Sequence, residues 1–182
     1  MHVKSLALKE SLPVSLKDVL KIGLFVFLLS ISSRIRLYLP YSPVPITFQT
    51  LVVFLSVVFL GRKALPAQLV YIGLGAAGIG VFSSGAGLFY LAGPTGGYII
   101  GFLLASFLLI KIIPLAKNTL WYIACFLIAD SVILISGSLW IKIIMNVSLA
   151  RAVNIGILPF IYGDALKIAL AALITSLAKP AK

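Results

Sequence analysis

The stretch Leu158-Pro159-Phe160-Ile161-Tyr162-Gly163-Asp164-Ala165-Leu166-Lys167 opens an apolar run that continues to about Ala178. A run of about 20 such residues is long enough to cross a bilayer as a helix. Two charges stand inside it. At mid-bilayer each costs roughly 2.5–3.5 kcal/mol on insertion scales, so an ionisable residue kept there marks a functional site by default. Asp164 and Lys167 are three residues apart and share one helix face. Either they satisfy each other and pin neighbouring helices, or they offer one acceptor and one cation to a ligand. A buried pair is a costly route to stability, and Pro159 with Gly163 opens the helix entrance, which favours a binding site.

The rest of the chain agrees with a membrane setting. Of 182 residues, 62% are hydrophobic and 10% charged, against about 25% charged in soluble domains. The net charge of +11 comes from Lys and Arg placed mostly between apolar runs. That is a topology pattern rather than a basic stripe, and it argues against nucleic acid. His2 is the sole histidine and lies far from the apolar runs. Ser83-Ser84-Gly85 therefore lacks the base of a serine hydrolase, and no catalytic residues, metal site or cofactor are expected. Cys125 has no cysteine to pair with and reads as packing.

Six apolar segments emerge, at about 19–39, 46–60, 64–82, 95–113, 119–144 and 157–178. The first is read as a retained helix, since no small-x-small cleavage site follows it. With the N-terminus inside, ten basic residues are cytoplasmic: Lys4, Lys9, Lys17, Lys21, Arg62, Lys63, Lys111, Lys117, Lys179 and Lys182. Four lie outside: Arg34, Arg36, Lys142 and Arg151. The positive-inside rule then places both termini in the cytoplasm. The connection Gly80–Gly93, GVFSSGAGLFYLAG, carries no charge and falls outside. It is apolar enough to lie back on the bundle as a re-entrant lid. The expectation is an all-α integral membrane protein, a bundle of six transmembrane helices with a lid loop between the third and fourth. Residues 19–178 form the bundle, with a cytoplasmic segment at 1–18 and a cytoplasmic tail at 179–182.

Four other motifs bear on function. Gly73-Leu74-Gly75-Ala76-Ala77-Gly78 matches G-x-G-x-x-G but lacks the strand and the acidic residue of a dinucleotide site, so close helix packing is expected. Gly93-Pro94-Thr95-Gly96-Gly97-Tyr98 places Pro94 at a helix start, and Gly93, Gly97 and Gly101 recur every four residues. This suits a packing groove, a ligand approach walled by Tyr98, or both. Pro43-Val44-Pro45-Ile46-Thr47-Phe48-Gln49-Thr50 is a stiff entry to the second span. Its Thr47 and Gln49 either cap the helix or face a cavity. Asp130, in the fifth span, is a partner for a basic or hydroxyl group or belongs to a site.

Together the runs Pro43–Thr50, Leu74–Phe82, Gly93–Tyr98 and Pro159–Lys167 resemble, in order and spacing over about 20–178, the BioY family. That family is the biotin-binding substrate component of energy-coupling-factor (ECF) transporters. The resemblance implies six membrane helices, a biotin cavity near the outer face, and a lid from the loops after the first and third helices. It implies as partners biotin, a transmembrane coupling protein and two cytoplasmic ATPases in a bacterial plasma membrane, although uptake is attributed in some cases to BioY alone. The substrate-binding positions it implies are Asp164 and Lys167 in the last helix, Ser84 where the family often has Asn, Tyr98, Thr47 and Gln49. Phe82, Phe89 and Tyr98 are candidate apolar walls. The chain departs from the family in the bulky Phe25–Leu29 run of the first helix, where alanine spacing is usual, and in Tyr162, where Pro is frequent. The expected function is biotin uptake. Its rivals are a proton-coupled transporter of a small carboxylated metabolite, and a structural protein whose ion pair only staples helices.

Overall fold

The computed structural model describes residues 15–178. His2, the tail 179–182 and residues 1–14 of the expected N-terminal segment lie outside the described residues. The helices are α1 (Leu16–Ser32), α2 (Gln49–Leu60), α3 (Ala64–Ala76), α4 (Leu88–Ala92), α5 (Gly96–Ile112), α6 (Thr119–Ile144), α7 (Leu149–Gly156) and α8 (Ile161–Ala178). Two short strands, β1 (Arg36–Leu37) and β2 (Ile46–Thr47), stand between α1 and α2. They pair antiparallel, with Arg36 opposite Thr47 and Leu37 opposite Ile46.

Local chemistry explains the helix starts. Ser15 accepts from the Asp18 amide at 3.2 Å while Asp18 accepts from the Ser15 amide at 3.3 Å, a reciprocal cap. Asn118 caps α6 through the Trp121 amide, and Ser148 caps α7 through that of Arg151. Asp18 also pairs with Lys63 at 2.5 Å, tying the start of α1 to the α2–α3 turn.

Four helical stretches are long and apolar enough to cross a membrane: Gln49–Ala76, Gly96–Leu115, Thr119–Ile144 and Leu149–Ala178. The first of these is not one straight rod. Gly61 takes φ of +58°, and the Gln49 amide nitrogen donates to the Tyr71 hydroxyl at 2.6 Å. A straight helix would set those residues roughly 33 Å apart. Gln68 likewise reaches back to Ser56 across 3.4 Å. The chain therefore doubles back at Gly61, with α2 and α3 side by side.

Three expected boundaries shift. α1 ends at Ser32 rather than near 39, because Arg34 and Arg36 and then Pro40, Pro43 and Pro45 favour extended backbone. The strand pair formed there also amends the all-α expectation. α3 ends at Ala76 rather than 82; Gly78 takes φ of +95° and turns the chain. Before α8 lies an additional short helix, α7, then a tight turn at Leu158–Phe160.

The core sits among α2, α3, α5, α6 and α8. Phe54 stacks on Phe126 with ring centres 5.1 Å apart. Within it the Gln68 amide donates to the Ser106 hydroxyl at 2.5 Å. α5 packs most extensively on α6. Here glycine is required: a Cβ at Gly97 would lie 2.2 Å from the Trp140 Cβ, and one at Gly101 3.0 Å from the Ile133 Cα. Gly73-x-Gly75 behaves differently from the expected helix contact. Gly75 makes room for the Phe82 ring from the following loop, whereas nothing lies within 4 Å of a Cβ at Gly73. Outward faces keep Leu104, Phe107, Ile128 and Leu173 about half exposed, an apolar exterior suited to lipid.

Candidate binding site

The break at Pro159 sets the first turns of α8 against α2 and α6. Asp164 and Lys167 face inward there, each 3% exposed. The Lys167 Nζ donates to Asp164 Oδ1 at 2.5 Å. They line a small cavity together with Thr47, Gln49 and Tyr98. Its volume is about 30 Å³, room for about two water molecules. Of the residues expected from the sequence, Thr47, Gln49, Tyr98, Asp164 and Lys167 are thus brought together. Ser84 is not; its neighbour Ser83 lines the cavity instead. The Ser84 hydroxyl bonds the Tyr38 hydroxyl at 2.7 Å, joining the loop after α1 to the loop after α3.

Each polar group has a defined task. The Thr47 hydroxyl donates to Gln49 Oε1 at 3.3 Å, the Gln49 Nε2 to the Tyr71 hydroxyl at 2.6 Å, and that hydroxyl to the Val81 carbonyl at 3.2 Å. Tyr98 lies over Gly137, where a Cβ would meet its ring at 2.3 Å. Its hydroxyl donates to the Gly156 carbonyl at 2.6 Å. Tyr98 therefore presents its ring, not its hydroxyl, to the cavity. Phe160 lies beside that ring, with centres 5.5 Å apart.

The other aromatic candidates are placed elsewhere. Phe82 is fully buried between Tyr71 and Tyr90, with ring centres 5.5 Å and 5.0 Å away, and anchors the loop after α3. Phe89 is 95% exposed and walls no cavity. Asp130 is buried, yet its Oδ1 has no hydrogen-bond partner among the described residues, and it does not line the cavity. Sequence reasoning did not single out Thr95, Ser83 and Phe160 as lining residues. Thr95 was within reach, inside the Gly93–Tyr98 motif.

The loop after α3 is held from α1 as well. The Ser33 hydroxyl reaches the Val81 carbonyl at 2.8 Å, and the Arg34 guanidinium bonds the Gly80 carbonyl. A second cavity, of about 240 Å³, adjoins the first at Lys167. It lies between the β1–β2 pair and α8, lined by Ile35, Arg36, Leu37, Ile46, Phe48, Gly163 and Leu166.

Comparison with known proteins places this geometry. The model of the BioY family matches residues 4–182. A biotin transporter BioY of Thermotoga maritima is 33% identical over 161 residues, covering 87% of this chain and 94% of that protein. A probable biotin transporter BioY of Pyrococcus horikoshii is 37% identical, covering 87% and 93%. Among solved structures, the S-component for biotin from an ECF-type ABC transporter superposes with a TM-score of 0.81 over 89% of this chain and 90% of that one. At 23% identity that match speaks for the fold. Conserved order along nearly the whole chain, and a shared helical fold, lead to one conclusion: this multi-pass membrane protein belongs to the BioY family.

Proposed function

We propose that the chain is the biotin-binding substrate component of an ECF transporter and carries biotin into the cell. The observation that carries this reading is the convergence of Asp164, Lys167, Thr47, Gln49 and Tyr98 on one buried cavity in a chain of the BioY family. Biotin has a ureido ring that donates and accepts hydrogen bonds, an apolar thioether ring and a carboxylate tail. Asp164 is suited to accept from ureido N–H groups, and Lys167 to hold an oxygen of the ligand. The Tyr98 ring supplies an apolar wall.

Six crossings follow if α1, α2, α3, α5, α6 and α8 each span the membrane, with the turn at Gly61 making two crossings of α2 and α3. Both termini are then cytoplasmic by the basic-residue count, and the cavity opens outward in a plasma membrane. The loops 33–48 and 77–87 act as the lid. Their support is the bridge of Ser33, Arg34 and Tyr38 to Val81, Gly80 and Ser84. A cavity of about 30 Å³ is too small for biotin, so the lid must move for the ligand to enter. The protein is a carrier, not a catalyst. A transmembrane coupling protein and two ATPases would supply the energy.

Isothermal titration of the purified protein with biotin tests the reading. The wild type is expected to bind, and Lys167→Ala to lose roughly 10- to 100-fold in affinity, the scale of the charge-assisted hydrogen bond that Lys167 would make to a ligand oxygen. Binding unchanged by the substitution overturns the site. No binding by the wild type overturns the function and leaves a helix staple.

A further inference from the structure

The two cavities differ in the polar groups they carry. The inner one sets Asp164, Thr47 and Gln49 among apolar walls such as Phe102, Ile133 and Phe160, whereas the larger one is walled by Ile35, Leu37, Ile46, Phe48 and Leu166. Besides Lys167, which borders both, the larger cavity has one charged group, Arg36. Lys167 is already committed to Asp164 at 2.5 Å. Arg36 is not committed to an acid: among the described residues the ion pairs are Lys63–Asp18 and Lys167–Asp164. Its guanidinium instead lies 5.2 Å from the centre of the Tyr38 ring. The ladder register sets Arg36 directly opposite Thr47, and such pairs have Cβ atoms about 5 Å apart on one face. A guanidinium with no acidic partner among the described residues thus lines an apolar space that adjoins the inner site at Lys167.

A ligand with a hydrogen-bonding head, a methylene chain and a terminal carboxylate matches this sequence of surfaces. We propose that the larger cavity seats the ligand's aliphatic tail and that Arg36 holds its carboxylate. This rests on the biotin reading and orients the ligand within it. The ureido head goes to Asp164 and Lys167, and the acid end goes to Arg36. Guanidinium suits the task because its planar fork can take both carboxylate oxygens.

The test is titration of the full-length protein with biotin and with biotin amide, whose tail end is uncharged. The wild type is expected to prefer the acid by roughly ten-fold or more, the scale of a charge-assisted hydrogen bond. Arg36→Gln is expected to bind the two ligands alike, with amide affinity unchanged, and Arg36→Lys to recover part of the preference. Arg36 is exposed, so a melting curve matching wild type verifies that the fold is intact. If Arg36→Gln keeps the full preference, or the wild type shows none, the tail site is overturned while biotin binding stands. A lipid tail occupying the cavity would give that same result. If the wild type binds neither ligand, both proposals fall.

Discussion

Tyr98 shows how one side chain joins the site to the scaffold. Its ring covers Gly137 and its hydroxyl ends on the Gly156 carbonyl, so helices α5, α6 and α7 meet on one residue. Tyr98→Phe keeps the ring and strands a buried carbonyl, a cost of about 1–3 kcal/mol. The melting temperature in detergent should fall, while biotin affinity should change by less than a few-fold. A large loss of affinity with unchanged melting would show that the hydroxyl faces the ligand. That Tyr98 lines a cavity was legible from the Gly93–Tyr98 motif. Its seat was not, because Gly137 is 39 positions away in the chain. The two serines of the third loop make a similar point. No periodicity orders residues in a loop, so the sequence could not decide between Ser84 and its inward-facing neighbour Ser83.

Among the elements, the apolar segments were legible as helices, 119–144 end for end, but the ends placed at 39 and 82 ran past α1 and α3. Hydropathy cannot separate a helix from an apolar loop packed on the bundle, and Val81 and Phe82 are buried in such a loop. α7 escaped notice because it is only eight residues long and amphipathic. The glycine spacing of α5 was readable, and the structure supplies its partner. Gly97→Ala would place a Cβ 2.2 Å from the Trp140 Cβ and 2.8 Å from the Ser136 carbonyl oxygen. Neither can move without shifting α6, so the destabilisation should reach at least the roughly 1–3 kcal/mol of ordinary overpacking. Gly73→Ala is the control, since nothing lies within 4 Å of its Cβ and alanine favours helix. Thermal unfolding of both variants should show a large drop for the first and none for the second.

For the whole molecule, the proposed orientation puts the loop after α3 outside and the α5–α6 turn inside. A membrane-impermeant maleimide applied to intact cells should label Ala86→Cys and spare Lys117→Cys until the cells are opened; Cys125 is buried and contributes little background. The reverse pattern would invert the topology. Charge placement is the ground for this orientation, and the break between the apolar segments 46–60 and 64–82 already implied the doubling back at Gly61 that the Gln49–Tyr71 contact shows. That contact belongs to a chain of donors running from β2 to the loop after α3. The Val81 carbonyl can only accept, so the Tyr71 proton points to it, the Gln49 amide must donate to Tyr71, and Thr47 must donate to Gln49. These three hydrogen bonds all point the same way, with the second proton of the Gln49 amide nitrogen outside the series. The Thr47 oxygen is therefore left as an acceptor alone, beside the acceptor Asp164. The inner site should discriminate by counting N–H groups: a urea offers two, and a cyclic carbonate of the same outline offers none.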